Sequence, residues 1–310
     1  MEISYFLESL RTDFLDKFFL LITEFGGESI TYVFLFLVVW CMDLDFSRYF
    51  VISNFYSIGT NILLKNIFCI PRPWVKDPNF TVVEGALDAA TGYSFPSGHT
   101  ATVVSVFGSF ISWFKNNILR VFLVVLIFLV SLSRIYLGVH TIWDVSASLM
   151  IGVLIFTFIK IYLKYSKAKD KYLNLIISSC IYSLVIVLVL NLLILSSEFN
   201  NELSLHGLKN AYTILGLTSG YLVSYIINFR YDTKASLITQ FFKILFGAIF
   251  VLIIKEGFKY LLNLIFPNML FTSAIRYFFV VLFATNIWPL SFKWFNKIEI
   301  KFRSLYNAKS

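Results

Sequence analysis

Long apolar runs separated by short polar segments dominate the chain from residue 28 onward. A membrane-spanning helix needs about 17–25 mostly apolar residues. Nine runs meet or approach that length, at residues 28–43, 49–69, 96–114, 118–138, 142–163, 173–196, 210–228, 237–265 and 273–291. The pattern predicts an all-α integral membrane protein, a polytopic bundle of about nine transmembrane helices.

Two segments depart from this simple pattern. Residues 3–22 place apolar side chains at helical intervals, with acidic and basic residues between them. This predicts an amphipathic helix that lies on the membrane surface or packs against the bundle. In the eighth run, Lys255, Glu256 and Lys259 either pair along the helix or mark a second polar pathway.

The composition agrees with a membrane protein. Hydrophobic residues make up 58% of the chain and charged residues 14%, whereas a soluble domain carries roughly a quarter charged residues. The net charge of +8 does not indicate a nucleic-acid partner, because the basic residues lie between apolar runs, where they set topology. The spacing of Cys41, Cys69 and Cys180 fits neither a disulfide framework nor a metal site.

The loop charges predict an orientation in the membrane. One set of loops is basic and the alternate set is acidic, so the positive-inside rule places the C-terminal tail in the cytoplasm. With an odd number of spans, the N-terminus, the loop at 70–95 and the turn at 138–142 lie outside. The basic set contains Arg48, Lys115, Arg120, Lys164, Lys167, Lys169, Lys171, Arg230, Lys234, Lys293, Lys297, Lys301, Arg303 and Lys309, and the acidic set contains Glu2, Glu8, Asp13, Asp16, Asp77, Glu84, Asp88, Glu198 and Glu202.

The basic stretch at 164–172 predicts a boundary between two regions, 1–165 and 166–310. Ionisable residues at the ends of membrane helices are costly and are therefore candidate functional residues. The three clusters that stand out all precede this boundary, and all map to the predicted outer ends of helices.

The first cluster contains Lys65 and Arg72. They lie seven residues apart. Pro71 and Pro73, on either side of Arg72, are expected to end the helix before it reaches Arg72. Both cations can therefore converge on the helix end. The alternative is a pair that extends independently to the lipid headgroups.

The second cluster is the sequence GYSFPSGHT, at 92–100. Pro96 suits the first turn of a helix, and Ser97 and Gly98 would then present open backbone N–H groups. Such a helix start binds phosphate, and His99 beside it can donate a proton. The alternative is that His99 is a hydrogen-bonded structural residue.

The third cluster runs from Arg134 to Asp144. Gly138 is expected to end one helix, and His140 and Asp144 lie four residues apart at the start of the next, on one face. A carboxylate that holds one imidazole nitrogen leaves the other as a lone pair, which makes the histidine a nucleophile or base. A packed His–Asp pair is the alternative. Together, the three cations, the N–H groups and the two histidines fit phosphoryl transfer.

These motifs resemble those of the type 2 phosphatidic acid phosphatases, a family related to vanadate haloperoxidases. The family carries K-x6-RP, PSGH and SR-x5-H-x3-D in that order, and all eleven specified positions match. The matching residues are Lys65, Arg72, Pro73, Pro96, Ser97, Gly98, His99, Ser133, Arg134, His140 and Asp144. The resemblance covers residues 28–163 and leaves the later helices unexplained.

The resemblance implies a six-helix core and a phosphatase that hydrolyses lipid phosphates without a metal or other cofactor. Against these six helices, the chain has five strong predicted spans before residue 165, together with the amphipathic segment at 3–22. By position, His140 would attack phosphorus to form a phosphohistidine, Asp144 would orient it, and His99 would protonate the leaving oxygen. The phosphoryl oxygens would be held by Lys65, Arg72, Ser97, Gly98 and Arg134.

The expected function is therefore hydrolysis of a lipid phosphate or diphosphate at the outer face of a cell membrane, with undecaprenyl diphosphate as the leading substrate. Alternatives are a phosphotransferase that uses the same site and a non-catalytic membrane carrier or scaffold. The loop at 74–95 is expected either to act as a lid or to be an exposed spacer. The sequence gives no indication of the oligomeric state.

Overall fold

The computed structural model describes residues 2–88, 90–195, 201–227 and 231–307, and they form an all-α bundle with no strand in these ranges. The helices, numbered along the chain, are α1 (Glu2–Ser9), α2 (Asp13–Thr23), α3 (Glu28–Cys41), α4 (Leu44–Phe68), α5 (Pro73–Lys76), α6 (Gly98–Trp113), α7 (Asn117–Tyr136), α8 (Ile142–Tyr165), α9 (Lys171–Ile194), α10 (Glu202–Ile227), α11 (Leu237–Ile265), α12 (Thr272–Leu282) and α13 (Phe292–Asn307).

The predicted all-α membrane fold is confirmed, and each of the nine apolar runs is helical over most of its described length. The ninth run is not one regular helix: after α12 it continues as a π-helical segment, Phe283–Ile287, and a 3-10 segment, Trp288–Ser291. The predicted span ends at 196 and 228, and the topology residues Glu198, Arg230 and Lys309, lie outside the described residues.

Six helical segments in the described ranges are long and apolar enough to cross a membrane. The other three predicted spans are α4, α6 and α10, which lie inside the bundle. About half the residues of α4 and α6 are buried, but only five of the 29 in α11. Interior helices contact protein rather than lipid, so they carry small and polar residues: the Ser105 hydroxyl on α6 donates to Asn54 Oδ1 on α4 at 2.8 Å.

The segment predicted as one amphipathic helix, 3–22, forms two helices instead. The chain breaks at Leu10–Thr12, because the Thr12 side chain caps α2 by accepting from the Leu15 N–H. One face of α2 packs against the bundle, where the Phe19 ring lies 4.3 Å from the Tyr136 ring of α7. The packing alternative is therefore correct for this face, while side chains such as Phe14 remain 77% exposed on the other.

The two ends of α4 carry different chemistry. Near its start, the Arg48 guanidinium lies over the rings of Tyr172 on α9 and Tyr225 on α10, at 5.8 and 5.1 Å. Lys65 lies 17 residues later, about 25 Å along the helix axis. The basic loops around Arg48 are thus at the end of the bundle opposite Lys65.

The charged residues inside α11 pair with one another at its surface. Glu256 Oε2 lies 3.7 Å from Lys259 Nζ, and Glu256 Oε1 lies 4.0 Å from Lys255 Nζ. The side chains of Glu256 and Lys259 are 57% and 56% exposed. This geometry corresponds to the pairing alternative rather than to a polar pathway through the bundle.

Candidate active site

The end of α4 brings the first two cations together. The helix ends at Phe68, where Cys69 takes a left-handed conformation (φ 47°) and its N–H bonds to the Lys65 carbonyl. Arg72 follows as the N-cap of α5, with Pro73 at the first helical position. Helix α4 therefore ends between Lys65 and Arg72, and both side chains donate to backbone carbonyls of residues 91–93.

The turn between α7 and α8 presents His140. Gly138 has φ 83°, and an added Cβ would lie 2.7 Å from the Thr81 carbonyl, so only glycine fits this turn. Thr141 then caps α8 in a capping box with Asp144. As a result His140, which is 2% exposed, has its ring fixed next to the first turn of α8.

The Asp144 carboxylate lies beside one nitrogen of the His140 ring. Asp144 Oδ2 is 3.4 Å from His140 Nδ1. The same oxygen accepts from the Ser94 hydroxyl and from the Thr141 N–H, both at 2.7 Å. Two donors thus hold the carboxylate in position, which fixes the side of the ring that faces it.

The other nitrogen of His140 faces Arg72. Arg72 Nη1 lies 2.9 Å from His140 Nε2, and because a guanidinium only donates, Nε2 carries the lone pair and the proton is on Nδ1. Burial, followed by the charges of Arg72, Lys65, Arg134 and His99, lowers the pKa of His140 well below its usual value. The lowered pKa favours the neutral ring at neutral pH, with its Nε2 lone pair toward the Arg72 guanidinium.

Backbone carbonyls of residues Thr91–Ser94, which we call the site loop, hold Arg72 and Lys65. Arg72 Nε donates to Gly92 O at 3.1 Å and Nη2 donates to Thr91 O at 2.8 Å. Lys65 Nζ donates to Tyr93 O at 2.6 Å. Burial lowers the pKa of Arg72 to about 10, so it remains a cation at neutral pH.

The start of α6 differs by two residues from the prediction. Pro96 precedes the helix, and Ser97 is its N-cap, with a side chain that accepts from Thr100 N. The prediction of an open N–H at Ser97 is wrong, because that N–H donates to the Asp144 carbonyl at 3.1 Å. Within the described ranges no hydrogen bond uses the N–H groups of Gly98 and His99, so these two form the open helix start.

Arg134 lies at the end of α7 and is fully buried. Its Nη1 donates to the Thr23 hydroxyl at 2.7 Å, but its Nε and Nη2 have no hydrogen-bond partner in the described part of the chain. A buried donor without a partner costs about 1–3 kcal/mol. An anion bound beside His99 and His140 would remove that cost.

The turn between α2 and α3 completes this side of the site. Thr23 ends α2, and Gly26 packs so closely on α6 that an added Cβ would lie 3.0 Å from His99 Cβ. The N-terminal segment therefore contacts both Arg134 and His99. Sequence reasoning did not find Thr23, since a threonine near a helix end is common and nothing local links it to an arginine 111 residues away.

The loop at 74–95 covers the His140 turn and is not an exposed spacer. Phe80, Val83 and Ala86 are buried, and the Val83 N–H donates to the Leu137 carbonyl. Trp74 lies 5.8 Å from the Arg72 guanidinium. Whether the loop opens as a lid stays a prediction.

Comparison with known proteins decides the family. Undecaprenyl-diphosphatase BcrC of Bacillus subtilis is 30% identical over 145 residues, which are 46% of this chain and 71% of that protein. Residues 46–168 match the PAP2 superfamily. The chain belongs to the PAP2 superfamily. Residues 211–299 also match the transmembrane extension of PAP2 superfamily phosphatases, so the later helices, too, belong to a known PAP2 architecture.

Two other relatives of this PAP2 protein have phosphatase names. A probable sphingosine-1-phosphate phosphatase of Dictyostelium discoideum is 29% identical over 160 residues, 47% of this chain but 38% of that protein. Putative undecaprenyl-diphosphatase YbjG of Escherichia coli is 27% identical over 124 residues, 38% of this chain and 59% of that protein. No solved structure matches. Family and relatives identify the chain as a phosphoric monoester or diphosphate hydrolase in a multi-pass membrane bundle.

Proposed function

We propose that this PAP2 protein hydrolyses a lipid phosphate or diphosphate through a phosphohistidine on His140. The observation that carries the proposal is the orientation of the His140 ring. Its Nδ1 side faces Asp144, and its Nε2 lone pair faces a guanidinium. A nucleophile aimed at a cation is suited to attack a phosphoryl group that the same cation binds.

In the first half-reaction, the phosphoryl group enters between His140 and the cations. Arg72 Nη1 transfers its hydrogen bond from Nε2 to a phosphoryl oxygen, with Lys65 and Arg134 as the other cationic partners. His140 Nε2 forms a bond to phosphorus while the bond from phosphorus to the leaving oxygen breaks. His99 gives its proton to that oxygen, and Asp144 stabilises the positive charge on the phosphorylated ring.

In the second half-reaction, water replaces the lipid. Neutral His99 takes a proton from the water as its oxygen bonds to phosphorus, and the bond between phosphorus and Nε2 breaks. The electron pair returns to Nε2, and inorganic phosphate leaves. His140 is again neutral with its proton on Nδ1, and His99 again carries the proton that it donated.

Undecaprenyl diphosphate is the substrate that we favour. Two relatives, BcrC and YbjG, are named for this lipid. The match to BcrC covers 71% of the length of that protein. Sphingoid phosphates, the substrates named for the Dictyostelium relative, share a long apolar chain and a terminal phosphate. Both lipid types carry the phosphate at the membrane surface, and we propose that the end of the bundle that holds His140 lies there.

We further propose the division and orientation that the sequence indicates. Residues 1–165 form the phosphatase core and 166–310 an accessory region. The active site lies on the extracytoplasmic side. The separation of the Arg48 end of the bundle from the Lys65 end supports this orientation under the positive-inside rule.

The direct test is phosphate release by the purified protein in detergent with EDTA present. The substrates are undecaprenyl diphosphate, phosphatidylglycerol phosphate, phosphatidic acid and a sphingoid phosphate, with His140→Ala as the blank. We expect release by the wild type alone, fastest from undecaprenyl diphosphate. Release no greater than the blank would contradict the hydrolase, and loss in EDTA that Mg²⁺ restores would contradict the metal-free mechanism.

A further inference from the structure

The first turn of α10 contacts the site loop. The Tyr93 hydroxyl lies 3.2 Å from Ser204 Oγ and donates to Asn201 Oδ1 at 3.3 Å. Tyr93 and Ser204 are 8% and 4% exposed, so this contact is buried. The match to the PAP2 transmembrane extension begins within α10, and the contact therefore joins the accessory region to the active site.

The α10 side of this contact is rigid. The Asn201 carboxamide caps α10, because its Oδ1 accepts from the Ser204 N–H at 3.0 Å. Its Nδ2 also donates to the Tyr93 hydroxyl at 3.2 Å. The tyrosine oxygen is thus bonded to groups whose positions are set by the helix itself.

The other side of the contact reaches three charged groups of the site through four hydrogen bonds. The carbonyls of Thr91 and Gly92 accept from Arg72, the carbonyl of Tyr93 accepts from Lys65, and the hydroxyl of Ser94 donates to Asp144. These are four consecutive residues. A shift of the site loop therefore moves two cations and the carboxylate together, relative to His140.

We propose that Tyr93 is a positioning residue, whose hydroxyl, anchored on Ser204 and Asn201 of α10, sets the place of Lys65 and Arg72 against the His140 ring. The accessory region is then part of the frame of the active site rather than a separate membrane anchor. This role rests on the proposed function, since its readout is phosphate release. It goes beyond the phosphatase core, because Asn201 and Ser204 lie in the accessory region.

The test compares hydroxyl deletions in the purified full-length protein. Tyr93→Phe and Ser204→Ala each remove one side of the contact, and the double variant closes a thermodynamic cycle. The matched control is Tyr56→Phe, whose hydroxyl joins α4 to Ser178 of α9, another contact between the core and the accessory region. Tyr56 lies nine residues before Lys65, about 13 Å along α4.

We expect Tyr93→Phe to lower kcat about tenfold with a smaller change in KM, because misplaced cations lose more in the transition state than in the bound substrate. Ser204→Ala should lower kcat in the same direction, and the double variant should lose less than the two separate effects combined, since the residues share one contact. Tyr56→Phe should keep wild-type kcat and KM, and all variants should keep Tm within a few degrees.

Three results would overturn the role. Wild-type kcat and KM in Tyr93→Phe would show that the hydroxyl does not position the site. Equal losses in Tyr93→Phe and Tyr56→Phe, together with lowered Tm, would show a general packing effect. Wild-type release no greater than that of His140→Ala would overturn the proposed function itself, and this role with it.

Discussion

At the residue scale, the proposed chemistry depends on the protonation of two histidines. His140 attacks only when neutral, and burial together with the surrounding cations lowers its pKa well below the usual value. A lowered pKa keeps His140 neutral as the pH falls below about 6.5, the ordinary value for histidine. His99 has the opposite requirement, because it must carry a proton to donate.

We therefore predict a bell-shaped dependence of kcat on pH with an asymmetric acid side. Activity should persist below pH ~6.5, where an ordinary histidine would already be protonated. It should fall on the alkaline side as His99 loses its proton in the substrate complex, where the bound phosphate favours the charged imidazole. The measurement is kcat from pH 5 to 9, because kcat reports the groups of the enzyme–substrate complex. An acid limb centred at or above pH ~6.5 would contradict a neutral, buried His140, and the absence of an alkaline limb would contradict His99 as the acid.

At the element scale, helix α2 contributes a hydrogen bond to the candidate active site. Its last residue, Thr23, is the hydrogen-bond partner of Arg134 Nη1, and the other two nitrogens of that side chain have none in the described ranges. That hydroxyl is the one hydrogen-bond partner of the guanidinium in the described ranges. Helix α2 thus contacts a proposed phosphate-binding residue at the end of α7.

We predict that Thr23→Val lowers kcat/KM about tenfold, because Arg134 loses its one fixed contact and moves relative to the phosphoryl group. Thr23→Ser, which restores a hydroxyl, should recover most of the activity. The control is Thr31→Val, which deletes a hydroxyl that donates to the carbonyl of Gly27, the N-cap of α3. Steady-state kinetics measure all three, and equal activity in Thr23→Val and Thr31→Val would refute the role of α2.

At the scale of the whole molecule, the orientation in the membrane decides which compartment supplies the substrate. We predict that a membrane-impermeant maleimide labels Glu84→Cys in intact cells and labels Lys169→Cys only after the membrane is opened. Both native side chains are exposed and lie at opposite ends of the bundle. The wild type, with its three partly buried cysteines, gives the background. The reverse pattern would place the active site in the cytoplasm.

Local spacing explains what the sequence could predict. His140 lies two residues before α8 and Asp144 lies in the first turn of that helix. Lys65 and Arg72 lie on either side of a helix end. The proximity of each pair therefore follows from short-range geometry. The contacts of Arg134 with Thr23 and of Tyr93 with Ser204 join residues more than 100 positions apart. The hydrophobic periodicity of the sequence does not indicate which residues so far apart come into contact. Ser94 lies inside the GYSFPSGHT sequence, but its hydrogen bond to Asp144 could be identified only from the structure.

The interior position of α4, α6 and α10 has a consequence for how the protein is made. In the described ranges, none of the three is among the six helical segments that are both long and apolar enough to cross a bilayer. A helix of this kind gains little from contact with lipid and is stabilised by its helical neighbours. We therefore expect the helices that carry Lys65, His99 and Ser204 to insert together with neighbouring helices from both halves of the chain.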